Sequence, residues 1–306
     1  MSQSIAAPPP YAIVDGRLQT STCELNISHQ CNLSCRSCGH LAPVASRHHS
    51  RPEDLYDVLR VLGRHYRAEH VRLLGGEPLL HPALLDVIDA VLRSGVTARI
   101  RVVTNGVLLH RMPAEFWRRV AEVHVSVYPG QALPDDERRR CAAQAETAGC
   151  ALEFLYFDRF RESYSEQGTG DGALVQRVYD TCQVAHRWRC HNVEGATFYK
   201  CPQAHRLPAT LPVSGLVADR DGVRIEDVPD LTDRLLAYLQ RPDPLDACRF
   251  CLGSVGRLFP HEQRRVAWRE PQHTPLETLV DWELLRVLER EDPDADSGCL
   301  RPEPSV

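Results

Sequence analysis

Cys31-Asn32-Leu33-Ser34-Cys35-Arg36-Ser37-Cys38 sets three cysteines within eight residues, in the spacing C-x3-C-x2-C. Just upstream, Thr22-Cys23-Glu24-Leu25-Asn26-Ile27-Ser28 alternates polar and apolar residues and predicts a strand. Three thiols therefore share one loop at the C-terminal end of a first strand. Thiolates this close suit one small metal centre. An iron–sulfur cubane normally takes four cysteines, so three local ligands leave one iron open, as catalytic zinc sites keep one position open. Taken alone, the spacing also allows most of a structural zinc site.

Downstream, Pro52 opens a helix to about residue 65, with Leu55, Val58, Leu59 and Leu62 at helical spacing. A second strand, 71–74, ends in Gly75-Gly76-Glu77-Pro78, and a helix over 82–94 stops at Gly95. A third strand, 98–103, ends in Thr104-Asn105-Gly106. A helix over 114–120 leads to a fourth strand, 123–127, ending in Tyr128-Pro129-Gly130. A helix over 135–148 precedes a fifth strand, 152–157. Strands alternating with helices predict an α/β fold with a parallel sheet. Each loaded motif follows a strand, and such barrels hold their sites at that C-terminal rim. A sixth unit is not evident, so the expectation is a partial (β/α)6 TIM-like barrel, not a closed eightfold one.

The 306 residues suffice for one large α/β domain and a small appendage. The expected division is a loosely ordered lead-in over 1–21, with Pro8-Pro9-Pro10 extended, a barrel over 22–172 and a second domain over 173–306. A net charge of −5 offers nucleic acid no general attraction. No apolar run reaches membrane-spanning length, and residues 1–10 lack the pattern of a signal peptide. A cytoplasmic protein without membrane partner is expected. Its twelve cysteines then argue for metal centres rather than disulfides. Lys200 is the sole lysine among 36 basic residues, which points to a GC-rich genome.

Over residues 20–160 the combination resembles the radical S-adenosylmethionine (SAM) enzymes. The resemblance rests on Cys31-x3-Cys35-x2-Cys38 after strand one and Gly75-Gly76-Glu77-Pro78 after strand two, with Thr104-Asn105-Gly106 as weaker support. It implies that Cys31, Cys35 and Cys38 hold a [4Fe–4S] cluster whose fourth iron binds SAM. Reductive cleavage of SAM then yields a 5′-deoxyadenosyl radical that takes a substrate hydrogen. An electron donor such as a flavodoxin or ferredoxin is implied as partner. Gly75, Gly76 and Glu77 would meet the methionyl ammonium, since glycines allow close approach and a carboxylate pairs with a cation. Asn105 and Ser126 are candidates for the ribose or carboxylate, and are equally readable as ordinary strand-end polar residues. The family usually places an aromatic before its third cysteine. Here Ser37 stands there, leaving His40 or Leu41 as candidates to hold adenine.

The C-terminal part holds Cys182, Cys190, Cys201, Cys248 and Cys251. Asn192 to Tyr199 reads as a hairpin turning at Gly195, and Cys248-Arg249-Phe250-Cys251 is a C-x2-C pair. The spacing allows a zinc ribbon. It also resembles the Twitch subtype of auxiliary domain, which adds a second [4Fe–4S] cluster. Five cysteines exceed four ligands. Either Cys182, Cys201, Cys248 and Cys251 are ligands and Cys190 is spare, or Cys182, Cys190, Cys201 and Cys251 are ligands and Cys248 is spare. The second division is preferred, with Cys248 as hydrogen-atom donor. Cys23, Cys141, Cys150 and Cys299 read as buried small hydrophobes or surface thiols.

Only some twenty residues precede the first strand, which favours a small molecule over a leader-bearing peptide; a peptide-modifying enzyme remains the further alternative. The barrel-plus-Twitch build resembles the epimerases of neomycin-type aminoglycosides. It implies inversion of a sugar C–H centre, with hydrogen returned from the spare thiol. Dehydrogenation or dehydration of an aminocyclitol or sugar is the alternative, and a non-catalytic metal-binding module the reading from another class. Asp158, Glu162, Glu166 and Asp171 are candidates to meet a polycationic sugar, or else form a solvated loop. Leu276 to Glu289 reads as one packing helix, and 292–306 as a frayed end.

Overall fold

The computed structural model describes residues 11–211, 215–264 and 273–290. Its first strands are β1 (Ala12–Val14) and β2 (Arg17–Ser28), paired antiparallel across Asp15 and Gly16, both at positive φ. An Asp-Gly turn of this kind fixes a hairpin, so residues 12–21, expected as part of the lead-in, form β1, its turn and the start of β2. Four units follow: α1 (Pro52–Leu62) and β3 (Tyr66–Gly75), α2 (Leu84–Arg93) and β4 (Ile100–Thr104), α3 (Ala114–Arg119) and β5 (Glu122–Val127), α4 (Asp135–Ala148) and β6 (Ala151–Tyr156).

Beyond them lie β7 (Arg159–Arg161), α5 (Gly172–Asp180), β8 (Asn192–Glu194), β9 (Thr197–Tyr199), α6 (Pro202–Thr210), β10 (Gly222–Arg224), α7 (Leu231–Leu239), β11 (Leu258–Pro260), α8 (Leu276–Leu279) and α9 (Trp282–Leu288). The main sheet runs β10-β9-β8-β2-β3-β4-β5-β6, with β1 added on β2. Strands β2 to β6 are parallel neighbours in chain order, and β8 is a sixth parallel strand, on the other side of β2. The hairpin expected over 192–199 thus continues the barrel sheet. The sheet is open, with β10 and β6 at its ends.

One face of the sheet meets the helices. Cys23, Leu25 and Ile27 of β2, Val71 and Leu73 of β3, Val123 and Val125 of β5 and Val193 of β8 join Leu59, Leu62, Val87 and Trp117 in the main core. Strand alternation sends Glu24 and Asn26, Arg72, Arg101, Glu122 and His124, and Asn192 and Glu194 to the opposite face. Arg72 Nη1 donates to Glu24 Oε1 at 3.2 Å, both side chains buried.

The C-terminal helix is broken. Asp281 caps α9, its Oδ1 accepting from Leu284 N at 3.1 Å, and its own N–H donates to Val255 O at 2.8 Å. A cap holds the chain out of helix at that residue, so one expected helix becomes α8 and α9. Cys299, Pro8-Pro9-Pro10 and the expected frayed end lie outside the described residues. No described helix is long and apolar enough to cross a membrane.

Removing one member of a buried ion pair leaves the other charge uncompensated, at about 3–5 kcal/mol. Glu24→Ala is therefore expected to cost that order of stability, read as the unfolding free energy in a denaturant titration.

Candidate active site

The cysteine loop leaves β2 at Ser28 and returns past Cys38. The turn after β3 is stitched to its stem: Gly76 N–H donates to Ser28 O at 2.6 Å and Glu77 N–H to Gln30 O at 2.7 Å. Gly75 has φ +136°, and a Cβ there would stand 2.2 Å from Ser28 O, while one on Gly76 would stand 2.2 Å from Gln30 O. Both glycines are demanded by this backbone approach. Glu77 is fully buried. Its Oε1 accepts from Leu79 N at 2.9 Å and Thr104 Oγ1 at 2.6 Å, and its Oε2 from Asn105 N at 2.8 Å. The expected ammonium partner is thus turned inward, tying the ends of β3 and β4 together. Burial pushes its carboxyl up to about 7, against those hydrogen bonds.

Each loop sulfur faces N–H donors. Cys31 Sγ accepts from Leu33 N at 3.4 Å and Asn105 Nδ2 at 3.7 Å. Cys35 Sγ accepts from Gln263 Nε2 at 3.2 Å and lies 3.3 Å from His261 Nε2. Cys38 has the backbone N–H groups of Ala42, His40 and Leu41. Burial nevertheless pushes Cys31 and Cys35 up to about 12. Free thiols here stay protonated, and a cationic metal centre is what would hold them as thiolates.

Comparison with known proteins is decisive for this part of the chain: the radical SAM superfamily model matches residues 25–154. Residues 25–154 are thus similar to a radical SAM domain. The superfamily is one of enzymes and implies a [4Fe–4S] cluster and SAM. A probable GTP 3′,8-cyclase of Sulfurisphaera tokodaii is 35% identical over 85 residues, 28% of this chain and 26% of that protein. A GTP 3′,8-cyclase of Alkaliphilus oremlandii is 26% identical over 117 residues, 37% of this chain and 36% of that protein. The chain thus spans about a quarter to a third of the length of these relatives. Among solved structures, BtrN in complex with AdoMet and 2-DOIA has TM-score 0.40 at 13% identity, over 83% of this chain and 97% of that one. A tagged anSMEcpe with bound AdoMet has TM-score 0.45 at 13% identity, over 77% and 88%.

The donor set around Cys31, Cys35 and Cys38 fits the cluster that the radical SAM domain implies. Asn105, next to the loop, also bonds Asn32 Oδ1 at 2.7 Å. Ser126 hydrogen-bonds the Tyr128 side chain. Ser37 has φ +51°, donates to Glu162 Oε2 at 3.0 Å and accepts from Ser163 N at 3.1 Å. A small residue there ties the loop to the segment after β7. Leu41 is buried against Tyr164 and Leu207, so it packs rather than facing a ligand. His40 lies against the Arg206 charge, and burial first, then Arg206, lowers it to about 4. The aromatic surface beside the loop is instead Tyr128, stacked on His261 at 4.7 Å and edge-on to Phe160 at 5.4 Å. The sequence shows Tyr128 only as a strand-end residue.

Four C-terminal cysteines, Cys182, Cys201, Cys248 and Cys251, line one small cavity with Val178, Tyr179 and Gly253. Burial, then neighbouring thiols, pushes Cys201 and Cys248 well above the usual thiol range. Among the described residues no three His, Cys, Asp or Glu converge as a single-ion site. Lys200 is fully buried beside them, its Nζ donating to Tyr179 Oη at 2.7 Å. Burial lowers its ammonium to about 8, opposed by the thiols of Cys201, Cys182 and Cys248. Cys190 stands apart from that cavity: its Sγ accepts from Arg72 Nη1 at 3.8 Å and it hydrogen-bonds Glu24, on the polar face of the sheet. The grouping is the reverse of the preferred division, since Cys248 lies with the other three and Cys190 does not.

On the polar face, Asn26 Oδ1 and Nδ2 and Asn192 Oδ1 are buried without a hydrogen-bond partner among the described residues. Two of the four acidic candidates have partners within the chain. Glu162 accepts from Arg36 Nη2 at 2.5 Å, and Asp171 caps α5, accepting from Ala173 N at 3.0 Å.

Because the folded Glu77 carboxyl ionises near 7 and the unfolded one near 4.5, the unfolded state loses its proton first as pH rises. The stability of wild type relative to Glu77→Gln is expected to fall between those two values and level off above them. Denaturation at a series of pH values measures it.

Proposed function

We propose that the chain is a radical SAM epimerase with two [4Fe–4S] clusters. It would invert one C–H centre of an aminoglycoside or related sugar, and Cys190 would return the hydrogen atom. The observation that supports this is the division of the five C-terminal thiols. Cys182, Cys201, Cys248 and Cys251 surround one cavity, whereas Cys190 faces the polar side of the sheet beside Glu24 and Arg72. Four thiols ringing a space suit a polynuclear centre, and the buried Lys200 ammonium supplies a counter-charge to such an anionic group.

SAM bound at the first cluster supplies, on reduction, a carbon radical able to take a hydrogen atom from a C–H bond. The chain's own part is to hold the sugar and return hydrogen. Asn26 and Asn192 bring unpaired amide donors and acceptors to the polar face, which matches a ligand rich in hydroxyl and amino groups. The Cys190 S–H bond breaks as hydrogen passes to the opposite face of the planar carbon radical. One electron from a reductant and one proton then restore the thiol.

Anaerobic reaction in D2O with SAM, reductant and an aminoglycoside panel tests this. Wild type is expected to give an inverted sugar carrying one deuterium. Cys190→Ala is expected to form 5′-deoxyadenosine without inverted product. Inversion at the wild-type rate by Cys190→Ala sinks the thiol-donor reading, and a product two mass units lighter shows oxidation instead. Iron analysis tests the second centre. Cys248→Ala is expected to lose about four of about eight irons per chain, and unchanged iron overturns the four-thiol assignment.

A further inference from the structure

The segment after Cys251 returns to the first cysteine loop. Strand β11 pairs with β7, and the chain then runs antiparallel to the loop, with Cys35 bridging Gln263. Arg36 N–H donates to Glu262 O at 3.0 Å, and Arg264 N–H to Ser34 O at 2.8 Å. These bonds bring two side chains onto one sulfur. Gln263 Nε2 lies 3.2 Å and His261 Nε2 3.3 Å from Cys35 Sγ.

Both groups are held from behind. Gln263 Oε1 accepts from Ser34 N at 2.9 Å, which fixes the amide so that its NH2 faces the sulfur. The His261 ring is stacked on Tyr128 with an interplanar angle of 10° and meets Phe160 edge-on at 4.7 Å. Gln263 Nε2 also lies 3.3 Å from His261 Nε2, so it is with the imidazole proton on Nε2 that His261 and Gln263 both donate to a cluster thiolate at Cys35. Hydrogen bonds to a cluster's sulfurs stabilise its more negative, reduced form and raise its potential.

We propose that His261 and Gln263 are positioning residues for Cys35 that set the reduction potential of the first cluster. The proposal rests on the radical SAM reading of that loop. It assigns to the C-terminal strap a role in how readily this cluster accepts the electron that starts the reaction.

The test is an EPR-monitored redox titration of the anaerobically reconstituted full chain, with the first cluster identified as the signal that SAM alters. Gln263→Leu and His261→Phe are expected to move that signal to a more negative potential, while His261→Gln, which keeps a donor, stays close to wild type. The second cluster's signal is expected to hold its potential in all three. A full iron complement with an unchanged first-cluster potential in both Gln263→Leu and His261→Phe overturns the proposal. A wild-type protein with no SAM-responsive signal overturns the radical SAM reading instead. Should a variant lose its cluster, wild type carrying 15N-histidine decides. A nitrogen coupling to the reduced first cluster that vanishes in His261→Gln supports the bond, and its absence from wild type excludes it.

Discussion

The approach of the Gly75-Gly76 backbone to Ser28 and Gln30 is the constraint on which the site depends. Two inter-strand hydrogen bonds at 2.6 and 2.7 Å join the end of β3 to the stem of the cysteine loop. No side chain fits between them, because either Cβ would fall 2.2 Å from a carbonyl oxygen. Glu77 extends the same stitch to β4, with two oxygens serving three donors. Three successive strand ends are thereby fixed relative to Cys31, whose sulfur takes a further bond from Asn105. A loop carrying a cluster needs such a rigid base, since its own sequence is short and mostly polar.

The sheet faces divide the labour. The helix side is apolar and supplies the stability. The other side carries Glu24, Arg72, Asn26 and Asn192, which cost free energy to bury unless paired. The Glu24–Arg72 pair compensates itself, whereas the Asn26 amide does not. Unpaired polar atoms inside a sheet are a poor choice for stability and a reasonable one for recognising a polar ligand.

Much of this was legible in the chain. Helix α4 falls where its pattern put it, and β4 to β6 lie within two residues of their expected spans, because each apolar run is short and bounded by turn residues, whereas β3 starts five residues before its expected span. The cysteine loop and the Gly-Gly-Glu turn were readable because their chemistry is local. The alternation Thr22-Cys23-Glu24-Leu25-Asn26 predicts a strand, but alternation alone does not show that its polar half is buried. A fully buried parallel strand is usually apolar on both sides, so that departure was the available signal. Asp15-Gly16 is the signal for the first hairpin, inside the segment expected as a lead-in. The grouping of the thiols was not legible, since Cys190 and Cys201 both flank the same hairpin and only the pairing of β8 with β2 carries one of them to the polar face. Nor could spacing reveal His261 and Gln263, which reach Cys35 across more than two hundred residues of chain.

The two thiol sets are also joined by the covalent chain. Cys251 lies at the four-thiol cavity, and twelve residues later Gln263 bonds Cys35. Between them Val255 and Gly256 are held by Asp281 and Val280, and β11 by β7, so the connection is braced along its length. A centre filled at Cys251 would order the start of this segment, and the end of it supplies donors to the first loop. The four-thiol cavity and the donors to Cys35 therefore lie on one braced stretch of backbone. This follows from the chain's path, which places the second set of thiols upstream of the strap instead of on a separate arm.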